Sequence, residues 1–265
     1  MKRLILFLLS CMLSHGQEAK PWGPQILDAI KGLMEWQPRA KGYEYEFRKE
    51  EKKIASDGSV KEQSTSRIEF KQLQGYRWAQ VMERNGTPTT EAQRKEQQEK
   101  SAARIALLKN ETAADRERKQ KESVKKRNDQ MGFVEEFPNA FDFQLVEQTK
   151  IAGRDISVVT FTPRKGYRPG QMRAKIFTKV NGKAWLDPIE KQAVKMIVDV
   201  FDDFSIGGFV ANLGKGTRFE FNQIRVDNSI WLPSSIYSRL MARLLVFKSY
   251  NTEETESFGN FRKPI

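Results

Sequence analysis

Apolar positions recur at helical spacing in one segment near the start of the chain and alternate with polar ones in most of the rest. Ile26, Leu27, Ile30, Leu33 and Met34 follow Pro24 and stop before Pro38, which predicts one amphipathic helix over 25–37 with its apolar stripe against a neighbour. Tyr43, Tyr45 and Phe47 then alternate with Glu44, Glu46 and Arg48, the period of a strand with one buried face. Asp57-Gly58 and Asn85-Gly86 carry hairpin chemistry, and between them the alternation resumes from Ser64 to Phe70 and from Tyr76 to Met82, as in a β-meander.

From Thr87 to about Asn128 aromatics vanish, and Glu, Gln, Lys, Arg and Ala dominate. Thr90 with Gln93 fits a capping box. Glu91/Lys95, Glu96/Lys100, Glu117/Lys121 and Glu122/Lys126 are Glu-before-Lys pairs at i,i+4, each contributing only ~0.2–0.5 kcal/mol. Such pairs support a helix without burying it. Ile105, Leu107 and Leu108 form the one large apolar cluster, and Asn110 is a plausible break. The segment 88–128 is therefore expected to be a helical hairpin inserted into the sheet, either a solvated excursion or an arm for a protein partner.

The strand pattern returns at Phe141, Phe143 and Leu145, turns near Ala152-Gly153 and continues through Ile156–Phe161. After a basic loop over 164–171, Ile176–Val180 and Ala184–Leu186 flank Asn181-Gly182, which predicts a two-residue hairpin turn there. Val194–Phe204, Arg218–Val226, Ile230–Leu232 and Ile236–Tyr250 complete about ten strands joined by short turns, hence antiparallel. A sheet of that width tends to curl. The expected fold class is mainly β (α+β): a half-open antiparallel β-barrel with an N-terminal helix and a long charged helical insertion, forming a single domain over 17–265. Trp78, Phe161, Phe177, Trp185, Phe219, Trp231 and Phe247 are the candidates for an apolar cavity, with Ile26, Ile30, Leu33 and Met34 as its lid.

Composition narrows the chemistry. Lys2 and Arg3 precede the almost wholly apolar run Leu4–Leu13, too short to span a bilayer, and Ser14 and Gly16 place small residues before a cut ahead of Gln17. This pattern predicts a signal peptide over 1–16 and an exported protein. Leu8-Leu9-Ser10-Cys11 offers a competing lipobox reading, in which Cys11 becomes a lipid anchor. Cleavage at Gly16 removes Cys11 and His15, the chain's single cysteine and single histidine. The mature chain would then have no thiol nucleophile, imidazole base, disulfide or zinc site of the usual kind. Serine–lysine or two-carboxylate hydrolysis remains open chemically, but neither leaves a motif, and no cofactor or metal is expected. The net charge of +12 favours an anionic partner such as a phospholipid surface, and the export signal argues against nucleic acid. Much of the excess lies in the segment from Arg94 to Arg127.

The string Gly182-Lys183-Ala184-Trp185-Leu186-Asp187, followed by Phe221-Asn222-Gln223-Ile224-Arg225-Val226 and Ile230-Trp231-Leu232-Pro233, resembles the periplasmic lipoprotein carrier and outer-membrane lipoprotein-sorting superfamily. That resemblance implies a non-enzymatic, monomeric periplasmic protein. Its apolar half-barrel, under a helical lid, would receive lipid or lipoprotein acyl chains. The charged insertion departs from the compact carrier pattern and suggests the alternative of an envelope sensor or structural adaptor that contacts a protein through 88–128. No individual binding residue carries over.

Overall fold

The computed structural model describes residues 22–264 apart from 74, 207–210, 228–229 and 245–247. The expected signal peptide with Cys11, His15 and Gly16, and the candidate Phe247, lie outside the described residues.

The N-terminal helix, α1 (Trp22–Met34), begins earlier than the apolar stripe suggests, because Pro24 falls in its first turn, where a missing N–H costs nothing. It ends at Met34, and a separate short turn, α2 (Trp36–Arg39), contains Pro38. Three strands follow, β1 (Glu44–Ile54), β2 (Val60–Leu73) and β3 (Tyr76–Arg84), with a two-residue β4 (Thr87–Pro88). The insertion is α3 (Glu91–Lys109) and α4 (Ala113–Met131), then a 3-10 stretch Gly132–Glu136 and α5 (Phe137–Ala140). The second half comprises β5 (Phe141–Ile151), β6 (Arg154–Pro163), a 3-10 stretch Arg173–Thr178, β7 (Val180–Asp187) and β8 (Gln192–Val200). It continues as β9 (Phe204–Ile206), β10 (Ala211–Leu213), β11 (Arg218–Val226), β12 (Ile230–Leu244) and β13 (Lys248–Arg262).

All thirteen strands belong to one sheet, antiparallel at every pairing, with the path β4-β3-β2-β1-β13-β12-β11-β8-β7-β6-β5; the β9–β10 hairpin attaches to β12. The first and last long strands are neighbours in the middle, and the two edges are β4 and β5. The helices α3, α4 and α5 therefore carry the chain from one edge of the open sheet to the other. The predicted capping box is formed: the Gln93 N–H donates to Thr90 Oγ1 at 3.2 Å, and the Thr90 N–H to Gln93 Oε1 at 2.8 Å. Of the predicted pairs, Glu96–Lys100 and Glu117–Lys121 both close to 2.6 Å. The half-buried or buried positions of α3 are Arg94, Gln97, Ser101, Ile105 and Leu108, a single stripe, whereas α4 is solvated over nearly its whole length. Gln97 lies on the exposed edge of β3. Its Oε1 accepts the Val81 N–H at 2.7 Å and its Nε2 donates to the Val81 carbonyl at 3.4 Å, so a side-chain amide stands in for the missing strand.

Three sequence expectations are corrected. Asn181-Gly182 is no turn: both residues lie inside β7, where Gly182 is paired with Phe161 on one side and Val198 on the other. A Cβ on Gly182 would overlap the Phe161 ring and the Ile197 carbonyl, so the glycine serves close packing rather than a positive φ. The hairpin turn lies instead after Asp187, with Lys191 at φ +53°. The region of Ile176 and Phe177 is a 3-10 turn rather than a strand. Finally, Ile230–Leu244 is one continuous strand, and the polar stretch Lys248–Arg262 is a full strand that pairs with both β1 and β12.

Candidate ligand-binding face

Directly opposed residues in an antiparallel pair share a face, so the register identifies the concave surface. One row of paired residues runs Ser66, Lys49, Glu256, Ile236, Phe221, Met196, Ala184, Val159, Leu145. The adjacent row runs Ser64, Glu51, Glu254, Ser238, Phe219, Val198, Gly182, Phe161, Phe143. Each row passes from charged residues in the middle of the sheet, through Ile236 or Ser238 on β12 and apolar residues on β11 and β8, to a core beneath the helices.

The covered end is solidly packed. Ile26 and Ala29 of α1, with no exposed surface, meet Phe137, Phe141, Phe161, Phe177 and Met196, and Ile30 and Leu33 pack against the same cluster. Phe141 stands 5.2 Å from Phe161 and 5.4 Å from Phe177 between ring centroids, in edge-to-face geometry. A second cluster under α2 joins Trp36, Tyr45, Phe70 and Phe258, with Tyr45 stacked on Phe70 at 4.7 Å and Trp36 edge-on to Phe258 at 5.1 Å.

Between the clusters the concave face is open. Phe219 is 42% exposed although it shares a row with Phe161, which is 1% exposed. Phe221, Ile236 and Leu240, on the same face, are half-buried. At the polar end of this strip Lys49 sits 2.7 Å from Glu254 and 3.3 Å from Glu51. Burial, and then the neighbouring Glu254 carboxylate, pushes the Glu256 carboxyl above its ordinary range. The hydrogen bond to Glu254, outweighing partial burial, holds the Lys49 ammonium higher than usual. A groove of about 520 Å³ adjoins the end of α1, lined by Lys31 and Met34 of that helix with Glu35 just after it, by Asn128 and Met131 in the last turn of α4, and by Val134 beyond it.

The sequence candidates divide. Phe161 and Phe177 are core, and Phe219 lines the open strip. Ile26, Ile30 and Leu33 face the core, and Met34 turns to the groove. The three tryptophans lie out of phase with these positions. Trp78 pairs with Lys71, one residue from the Ala79–Phe70 pair on the concave face. Trp185 lies between the ammonium groups of Lys183 and Lys195, at 5.0 and 5.5 Å from its ring centre. Trp231 adjoins an ionic cluster: its indole N–H donates to Glu190, whose carboxylate also meets Arg154 at 2.8 Å and Arg225 at 3.0 Å. Arg154 in turn reaches the buried Asp187 at 2.5 Å, and Asp187 caps the turn by accepting the N–H groups of Ile189 and Glu190 at 2.9 Å each. The Gly-Lys-x-Trp-Leu-Asp string is thus most of strand β7, ending in Asp187, which clamps the turn that follows. The sequence reading missed Lys49, Glu254, Glu256, Phe221, Ile236 and Leu240 as members of one surface. The alternation of Phe47, Lys49 and Glu51 is the signal that one face changes character along β1.

Among the described residues no three His, Cys, Asp or Glu side chains are placed to hold a metal ion, and no helix is long and apolar enough to cross a membrane. No family model and no curated protein matches the sequence. Among solved structures, a domain assigned to outer membrane lipoprotein sorting from Vibrio parahaemolyticus is 12% identical, covering 89% of this chain and 93% of its own, at a TM-score of 0.30. A LolA superfamily protein from Nitrosomonas europaea is 10% identical over 89% of this chain and 94% of its own, at 0.26. The MucA/MucB complex of Pseudomonas aeruginosa provides a third likeness, 12% identical over 90% of this chain and 99% of that one, at 0.22. At these scores the likeness carries no inference about what this chain binds.

Proposed function

We propose that this chain is a non-enzymatic binding protein of the bacterial periplasm that holds an acyl chain of a lipid or lipoprotein on the open strip of its concave face. The observation that carries the reading is the exposure of Phe219 in a row whose other apolar side chains, Val198, Phe161 and Phe143, lie in or against the packed core. The strip from Phe219 and Phe221 to Ile236 and Leu240 supplies an apolar floor, and Lys49 with Glu254 and Glu256 supplies a polar end for a head group. This form suits an amphiphile better than a wholly apolar molecule. Burial of about eight methylenes contributes roughly 6 kcal/mol before the cost of ordering the ligand, enough for binding without any reacting group. The packed Phe137–Phe141–Phe161–Phe177 cluster restricts the ligand to the strip and the neighbouring groove. The N-terminal leader pattern supports export.

A fluorescent fatty acid titrated into the full chain tests this reading. Saturable binding weakened at least about ten-fold by Phe219→Asp is expected, since a carboxylate on the floor would be desolvated by the ligand. Equal binding by both proteins contradicts it. The near-complete exposure of α4 favours a second use of the fold, contact with an envelope protein through the insertion. Affinity capture with and without residues 91–131 distinguishes that reading by loss of a stoichiometric partner.

A further inference from the structure

From Arg164 to Lys179 the chain contains Arg164, Lys165, Arg168, Arg173, Lys175 and Lys179 and no acidic residue. Two of these cations are matched locally, Arg164 by Asp142 at 2.9 Å and Lys179 by Asp202. Lys165, Arg168 and Lys175 are exposed and have no ion-pair partner among the described residues. The Arg173 guanidinium donates to the Asp129 carbonyl at 3.4 Å, which sets this loop beside the last turns of α4, where Lys125 and Lys126 are exposed in the same way. The loop is anchored rather than free. The Tyr167 hydroxyl and the Gly170 N–H donate to Glu136 at 2.6 and 2.8 Å, so that carboxylate is engaged by the loop's own hydroxyl and backbone donors. Met172, 61% exposed, stands among them.

We propose that the loop 164–175, together with the end of α4, is a docking surface for an anionic phospholipid bilayer. The unmatched Lys165, Arg168 and Lys175 on a fixed loop supply long-range attraction to an anionic leaflet, and the exposed, flexible thioether of Met172 supplies a side chain that enters the head-group boundary. Single-stranded nucleic acid would call for stacking rings. The loop's one aromatic, Tyr167, is half-buried and engaged with Glu136. Asn128 and Met131, at the same end of α4, line the groove beside Met34, so a docked molecule presents that groove close to the bilayer. Docking is independent of whether the concave strip holds an acyl chain, and it is read without any cargo.

Co-sedimentation of the full chain with vesicles of phosphatidylglycerol and phosphatidylcholine, against vesicles of phosphatidylcholine alone, tests the proposal. Binding to the anionic vesicles only is expected, with near-complete loss at about 1 M ionic strength, where the Debye length is ~3 Å. Each cation near the surface contributes about five-fold to partitioning, so the triple variant Lys165→Gln, Arg168→Gln, Lys175→Gln is expected to bind about a hundred-fold more weakly. These side chains are exposed, so the fold is kept, and an unchanged circular dichroism spectrum confirms it. Met172→Asp should weaken binding further at fixed salt. Equal sedimentation with both vesicle types, an unaffected triple variant, or displacement from vesicles by stoichiometric DNA or by an acidic polypeptide would overturn the assignment.

Discussion

Gly182 of β7 stands directly opposite Phe161 of β6, and the Phe161 ring occupies the space a Cβ on Gly182 would need. The contact lies in the covered half of the concave face, where Phe161 also meets Phe137 and Phe141 at 5.2 Å. Gly182→Ala is expected to destabilise the protein by about 1–3 kcal/mol through overpacking. Phe161→Leu should recover part of that loss, giving a coupling visible in a double-mutant cycle by urea unfolding. Were Gly182 a turn residue, the two substitutions would add independently.

Asp187 gives a pH-dependent prediction. Burial alone would raise its pKa, but hydrogen bonds from Arg154 and from the Glu190 and Ile189 N–H groups outweigh it and hold the carboxyl below its ordinary value. A carboxyl depressed in the folded state stabilises above its unfolded pKa, about 3.9, and that contribution is lost as pH falls through the lower folded value. Asp187→Asn should therefore lower the melting temperature by several degrees at pH 7. The gap from the parent should narrow in acid below about pH 4. A gap independent of pH contradicts the ionic account.

Glu256 has the opposite sign. Its carboxyl is raised by burial and by Glu254, so its contribution is favourable in acid and is lost as pH rises from the unfolded value of about 4.3 through the raised folded one. Glu256→Gln is expected to stabilise the protein at neutral pH, by a few degrees in thermal unfolding. Near pH 4 it should have little effect. Destabilisation at neutral pH would mean that the Lys49 ammonium, rather than Glu254, dominates its surroundings.

The amide of Gln97 closes an edge that would otherwise pair with other chains. Gln97→Ala removes both bonds to Val81, and a cost of about 1 kcal/mol with increased self-association in light scattering is expected. Gln97→Leu, which preserves helix propensity and bulk without the amide, should behave like the alanine variant.

The sequence makes the curled antiparallel sheet, the first helix and the helical hairpin legible because each rests on local chemistry: the stripe from Ile26 to Met34, the alternation from Tyr43, the Thr90 cap. It hides β13, since Asn251–Glu256 is almost wholly polar and gains its strand conformation by pairing on both sides in the middle of the sheet. Asn181-Gly182 misleads because the same dipeptide serves a turn through positive φ and a strand through the absence of a Cβ. The tryptophans mislead because size and apolarity do not specify a face. A single residue of phase sends Trp185 to two lysines while Ala184 enters the core. The open strip joins residues from β11, β12, β13 and β1, and only the register brings them together.

The most direct test of the central claim is mass spectrometry of organic extracts from the protein purified gently from its native cells, beside the Phe219→Asp variant prepared in the same way. A stoichiometric acyl-bearing lipid or lipopeptide on the parent, depleted on the variant, is the predicted result. No acyl compound on either protein, or the same amount on both, would contradict the assignment of the concave strip as the binding surface.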